Sequence, residues 1–238
     1  MNIDTDKTIL VTGASQGIGR KLAIHFARQC KELILMARNL DNLEETRRLV
    51  EEAGGTARVF SLDLSRLESI QEMNSGLGDA SIDIIINNAA DVTSKPFSET
   101  SLEEIDHLIQ TNVTGVLQLV HVLLPRLNPA STIVNISSLA GYKSNPTQTV
   151  YSVSKTAVNG MSDALRADLG RDGHHVLNVA LGSVALDDSP APGQSSISVT
   201  LNCIQRAIES DEAELFMDPR SKLLMRLYAA FPFLSRMR

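Results

Sequence analysis

Short runs of unbroken apolar residues alternate along this chain with longer stretches in which apolar positions recur every three or four residues. The runs TILVT (8–12), ELILMA (32–37), ARVFSLDL (57–64), IDIIINN (82–88), STIVNIS (131–137) and HHVLNVAL (174–181) predict β-strands, and AELFM (213–217) a seventh. The periodic stretches 17–29, 41–55, 65–76, 101–127 and 149–173 predict helices, the fourth with a turn in its middle. Ser101 followed by Glu104 makes a capping box at one helix start, and Gly173 stops another helix. Strands without a polar face must be covered on both sides. Because helices follow them, the pattern predicts an α/β fold: a parallel sheet between two helical layers, doubly wound, in a three-layer αβα arrangement. No internal repeat or linker interrupts the pattern, so residues 1–238 read as a single domain, divergent over the C-terminal segment 211–238. The Ser-, Pro- and Gly-rich stretch DDSPAPGQSSISV (187–199) reads as a loop and a short lid.

Composition narrows the partners more than the fold. With 238 residues and 43% hydrophobic content, the chain can bury a large core. A net charge of −6 argues against nucleic acid, which needs a basic face. Cys30 and Cys203 are far apart and form no CxxC motif, so both read as reduced thiols of a cytoplasmic protein. The five histidines lack ligand spacing, and no metal site is expected. The N-terminus lacks a signal-peptide pattern, and no run of 18 apolar residues predicts a membrane-spanning helix.

The last twenty residues stand apart. Residues 219–238 contain Arg220, Lys222, Arg226, Arg236 and Arg238 and no acid; their +5, within a chain total of −6, leaves −11 on the rest. Leu223, Leu224, Leu227, Tyr228, Phe231, Phe233 and Leu234 are interleaved with them. Such a tail suits peripheral contact with an anionic membrane, or packing over the active site or a subunit interface of an oligomer.

The candidate chemistry begins between the first strand and the first helix. TGASQGIG (12–19) places Gly13, Gly17 and Gly19 around Ser15, Gln16 and Ile18. Residues without a Cβ let backbone approach a pyrophosphate, and the helix N-terminus offers free N–H groups to it. The end of the second strand selects the cofactor. It carries Ala37 and then Arg38, with no carboxylate for a ribose 2′-hydroxyl. A guanidinium suits a 2′-phosphate, so NADP(H) is expected over NAD(H). Further on, YSVSK (151–155) puts a phenol and an ammonium on one helical face, at Tyr151 and Lys155. A free tyrosine titrates near 10, so proton transfer through it at neutral pH costs about 4 kcal/mol. A neighbouring ammonium would favour the phenolate and lower that cost.

Four blocks in order, TGASQGIG, NNAA (87–90), Asn112, and NISS (135–138) with YSVSK, resemble the short-chain dehydrogenase/reductase family from about residue 7 to 186. The resemblance implies a Rossmann-type domain and an oxidoreductase that reduces a ketone or aldehyde to an alcohol, or the reverse. It implies a catalytic set of Asn112, Ser138, Tyr151 and Lys155. Tyr151 would act as general acid, Ser138 would hold the substrate oxygen, and Asn112 would interrupt its helix and support a water chain to Lys155. It places Asp63 beside the adenine ring and Asn87, Ala89 and Val184 along the cofactor cleft, with Tyr151 and Lys155 also touching the cofactor. It also implies a small-molecule carbonyl or alcohol substrate and a homodimer or homotetramer.

The chain departs from the family pattern at three places. Ala90 stands where glycine is usual, Leu181 where proline is usual, and Leu186 where a threonine hydroxyl would meet the cofactor. The alternative expectation is therefore a catalytically weak NADP(H)-binding regulatory or scaffold protein on the same fold. The substrate pocket is expected from 90–97, 139–150 and 182–200, including Val92, Phe97 and Tyr142.

Overall fold

The apolar runs pair side by side. In the computed structural model, which describes residues 3–217 and 219–231, seven parallel strands lie in the order β3-β2-β1-β4-β5-β6-β7. They are β1 (Thr8–Thr12), β2 (Glu32–Ala37), β3 (Ala57–Ser61), β4 (Ile82–Asn87), β5 (Leu127–Ser138), β6 (His175–Leu181) and β7 (Glu214–Phe216). Strands β1, β4 and most of β6 are buried on both faces, as their unbroken apolar sequences require. β5 starts four residues earlier than expected and passes through Ala130, whose φ is 57°.

Helices α1 (Gly17–Phe26), α2 (Leu40–Glu52) and α7 (Ile197–Glu209) bury Leu22, Phe26, Leu43, Val50, Leu201 and Ile204 in the core cluster on one face. Helices α3 (Leu67–Gly76), α5 (Gly115–Leu123) and α6 (Thr149–Leu169) bury Ile70, Met73, Leu119, Leu123, Val158 and Met161 on the other. Helix α7 corrects the reading of 187–199 as loop throughout. Ser196 caps it, its hydroxyl accepting the N–H of Val199, and the apolar spacing of Ile197, Leu201, Ile204 and Ile208 seats it on the sheet.

The predicted helix 101–127 is two helices. A capping box at Ser101 and Glu104 starts α4 (Leu102–Ile109); a π-helical turn, Gln110–Thr114, separates it from α5. The stretch Leu102–Arg126 is long and apolar enough to cross a membrane by length and composition, which the absence of an 18-residue apolar run did not suggest. Its apolar side chains are divided: Leu119 and Leu123 lie in the core under the sheet, whereas Leu102 and Leu117 are exposed.

The last described element, α8 (Pro219–Ala230), has an apolar side turned outward. Met225 is buried against Phe216 and Ala180, while Leu223 is 64% exposed and Leu224, Leu227 and Phe231 are exposed too. Phe233, Leu234, Arg236 and Arg238, and the side chain of Tyr228, lie outside the described residues.

A row of asparagines fixes the registry of the central strands against α6. Asn87, Asn135 and Asn178 stand side by side on β4, β5 and β6. Asn87 Nδ2 donates to Asn135 Oδ1 at 2.9 Å, and Asn135 Nδ2 donates to Ser162 on α6 at 3.0 Å. Removing the middle amide leaves buried donors and acceptors unpaired. Asn135→Ala is expected to lower unfolding free energy by about 2 kcal/mol in urea titration.

Candidate active site

The strand order reverses between β1 and β4, and the cleft opens at their C-terminal ends. The turn after β1 is pressed against the end of β4. A Cβ on Gly13, which has φ +66°, would stand 2.8 Å from Ala89 Cα, and one on Gly19 would stand 2.2 Å from the Gly13 carbonyl oxygen. Asn88 Nδ2 donates to the carbonyls of Thr12 and Gly13 at 3.0 and 3.3 Å. The Thr12 hydroxyl accepts the N–H groups of Asn88 and Ala89, each at 3.0 Å. Arg20 ties the outer side of the turn to α2, donating to the Ser15 carbonyl and to Thr46 Oγ1. Helix α1 begins behind this turn with no side-chain cap and no acid in its first turn. Its leading N–H groups suit an anion.

A cavity of about 520 Å³ runs from this turn to α6. Gly13, Ser15, Gln16, Gly17, Ile18, Arg38, Asp63, Ala89, Ser138, Tyr151 and Lys155 line it, as do Asn88, Asp91 and Val92. Gly19 lies behind the turn, and Asn112, Asn87 and Val184 are not on the wall. Asn87 is 5% exposed because its side chain faces the strand row, so the cleft-facing asparagine is its neighbour Asn88. Val184 pairs with Ser195 in a short bridge and packs on the core. Tyr142 is not a pocket residue either. Its hydroxyl donates to Glu214 at 2.6 Å and its ring lies against Phe216. Phe97 is likewise outside the cavity, whereas Val92 is on its wall.

Three residues of the implied catalytic set, Ser138, Tyr151 and Lys155, meet on the cavity from two elements, and Asn112 stands behind it. Ser138 ends β5, its Oγ accepting the Ala140 N–H at 3.1 Å. Tyr151 and Lys155 are one turn apart near the start of α6. The Lys155 amine lies 5.7 Å from the centre of the Tyr151 ring and donates to the Ile136 carbonyl at 2.7 Å. Burial pulls its pKa down to about 8. Burial pushes the Tyr151 phenol above its ordinary range, and a hydrogen bond from Ser138 opposes that rise. The expected effect of Lys155 in favouring the phenolate is therefore not seen. The ammonium is directed at the Ile136 carbonyl, and desolvation governs both groups.

Asn112 sits in the π turn, 1% exposed. Its Oδ1 accepts the Asp91 N–H at 2.8 Å, and its Nδ2 donates to the Asp91 carbonyl at 2.8 Å and to Ser154 Oγ at 3.1 Å. The helix interruption is as expected. The Asn112 side chain holds the loop after β4 by both sides of the Asp91 peptide.

The cofactor-selecting corner also differs. The end of β2 carries no acid, but the loop after β4 brings one to it. Asp91 accepts from Arg38 at 3.0 and 3.4 Å and lies 2.7 Å from His107 Nε2. Nearby, Asp63 Oδ1 accepts the N–H and the hydroxyl of Ser65 at 2.9 and 2.7 Å. Burial alone would raise the Asp63 carboxyl, but those bonds and the charges of Arg38 and His107 hold it below its ordinary range. Asp91, Asn88 and Arg20 were not anticipated. The doubled asparagine NN at a strand end was a usable signal for Asn88, because alternate residues face opposite ways.

A parallel doubly wound sheet with a glycine turn at its switch point, and a Tyr–Lys pair across the cleft, defines a dinucleotide-dependent oxidoreductase of the short-chain type. The family model for short chain dehydrogenases matches residues 7–190, and the chain belongs to that family. The chain is 30% identical over 241 residues to the ketoacyl reductase HetN of Nostoc sp., covering 95% of this chain and 84% of that protein. It is similar to a short-chain dehydrogenase from Sphingobium yanoikuyae solved with NADPH (TM-score 0.83, 26% identity, 98% and 97% coverage). A second neighbour, from Burkholderia phymatum, was solved with NAD (TM-score 0.84, 23% identity, 98% and 96% coverage) and shares the fold.

The depressed Lys155 pKa has a thermodynamic consequence. Between about 8 and 10.5 the unfolded chain binds a proton at Lys155 that the folded chain does not. Stability linked to this group therefore rises with pH across that window, and the burial cost is fully present below it. Lys155→Met is expected to be more stable than the native chain at pH 7 by about 3 kcal/mol, with the difference vanishing toward pH 10.5. Urea unfolding at several pH values checks it.

Proposed function

We propose that this protein is an NADP(H)-dependent carbonyl reductase, converting a ketone or aldehyde to an alcohol, with Tyr151 as proton donor. The observation that carries the reading is the convergence of Ser138, Tyr151 and Lys155 on the cavity that begins at the glycine turn. The groups that would hold a dinucleotide are the turn at Gly13–Gly19, Asn88, Ala89, Arg38 and Asp63. The absence of space for a Cβ at Gly13 and Gly19 supports the fit. When bound, the cofactor supplies the hydride.

The chain's own residues handle the oxygen. Ser138 donates a hydrogen bond to the substrate carbonyl and fixes its direction. Tyr151, kept protonated by burial, gives its proton to the same oxygen as general acid. Lys155, bound to the Ile136 carbonyl, keeps its amine 5.7 Å from the centre of the Tyr151 ring, and Asn112 holds the loop after β4 in place through Asp91. Leu181 is packed at the end of β6, so the missing proline is replaced by core packing. Leu186 is 52% exposed, and the segment around it is held by Ser195 donating to the Ser183 carbonyl at 3.0 Å. That bridge ties down the segment around Leu186 without the usual threonine.

Tyr151→Phe is expected to cut kcat about a hundredfold or more on a panel of ketones and ketoacyl thioesters. NADPH affinity should change by less than about threefold, since the removed hydroxyl serves the proton step. Undiminished turnover would remove Tyr151 from the mechanism and favour a protein that only binds nucleotide.

Two contact surfaces accompany this reading. Exposed Leu102, Leu117 and Val153 on α4, α5 and α6 favour a second copy of the chain. The outward Leu223, Leu224 and Leu227 of α8, with Arg220, Lys222 and Arg226 beside them, favour an anionic lipid surface. The native chain is expected to sediment with phosphatidylserine vesicles and not with phosphatidylcholine vesicles. Leu223→Glu with Leu227→Glu, which spares buried Met225, should stay in the supernatant. A native chain that stays there too contradicts the lipid contact, and loss of dimer in the variant would assign the face to a second copy.

A further inference from the structure

Arg38 is the group that would meet a 2′-phosphate, and it is already engaged. Its two terminal nitrogens face the two oxygens of Asp91, 53 residues away in sequence, in a forked geometry of 3.0 and 3.4 Å. The carboxylate is built into the cleft. Asn112, itself buried, grips the Asp91 peptide on both sides at 2.8 Å, and His107 Nε2 lies 2.7 Å from Oδ2. Asp91 lines the same cavity as Arg38 and Asp63.

We propose that Asp91 is a cofactor-specificity residue, because it competes with the 2′-phosphate of NADP(H) for Arg38. The inference rests on the dinucleotide reading of the cleft. A 2′-phosphate carries close to two negative charges and takes an arginine through paired hydrogen bonds. To do so here it must displace a carboxylate that is fixed by its own backbone, and then remain beside that negative charge. NAD(H) presents a neutral 2′-hydroxyl. It leaves the Arg38–Asp91 pair intact, and a carboxylate is the usual acceptor for such a hydroxyl. The two side chains thus act in opposite directions. Arg38 favours the phosphorylated cofactor, Asp91 disfavours it, and His107 holds the carboxylate in place when the guanidinium turns away. The resulting preference for NADPH is narrower than Arg38 alone would give.

Asp91→Asn separates these effects. It keeps the peptide held by Asn112 and removes only the charge. Calorimetric affinities for NADPH and NADH are measured on the native chain, Asp91→Asn, Arg38→Ala and the double variant. The expected result is a rise of roughly tenfold in the NADPH-to-NADH affinity ratio for Asp91→Asn, and a clearly smaller rise in the Arg38→Ala background. The cycle excludes a general structural effect, which would move both nucleotides alike. A ratio that stays within about twofold overturns the proposal, as does an equal gain in both backgrounds, which would mean that Asp91 does not act through Arg38. If the native chain binds neither nucleotide, the dinucleotide reading fails and takes this inference with it. If it binds both and the ratio does not move, the dinucleotide reading stands and the specificity role alone is lost.

Discussion

The turn after β1 and the end of β4 approach so closely that no side chain fits between them. Gly13 and Gly19 are required by contact with Ala89, Asn88 and the turn's own carbonyl. Thr12 and Asn88 then hydrogen-bond the two segments together. The rest of the site depends on this contact. It sets where α1 begins, with its N-terminus uncapped by any side chain. It also sets where the loop after β4 leaves the sheet, which brings Asp91 to Arg38 and to the side chain of Asn112.

On the other side of the cleft, the sheet positions the chemistry through polar groups that a stability-driven core would lack. Asn135 and Ser162 seat α6 against β5. That seating buries Lys155 to 4% exposure with one carbonyl for a partner. An ammonium in such a place opposes folding at neutral pH. A lysine kept there at a cost to stability indicates a demand made by function, since an apolar side chain would fill the same space more favourably.

Much of this was legible in the sequence because period and burial are linked. The strands of an all-parallel sheet have no polar face, and their unbroken runs located β1, β2 and β4 within a residue or two. The glycine turn and the Tyr151–Lys155 spacing were readable because each depends on local geometry alone. What could not be read depends on pairs distant in sequence. Nothing local indicates that Asp91 reaches Arg38, that Tyr142 turns away to Glu214, or that Lys155 is held by Ile136 instead of acting directly on the phenol. Helix α7 was missed for a different reason. Its start, Ser196, follows a Ser-, Pro- and Gly-rich stretch, and the loop signal masked the cap.

The proposed reaction is hydride transfer to a carbonyl carbon, with Tyr151 supplying the proton to the oxygen. It is tested most directly by incubating the protein with NADPH deuterated at the nicotinamide C4, using each C4 stereoisomer in turn, and a panel of ketones and aldehydes. The products are then analysed by mass spectrometry and NMR. The expected product is an alcohol that carries one deuterium on its carbinol carbon from one of the two isomers. If NADPH is bound but no substrate yields a deuterated alcohol, the protein is not a carbonyl reductase. The chain would then be a nucleotide-binding protein on a reductase fold.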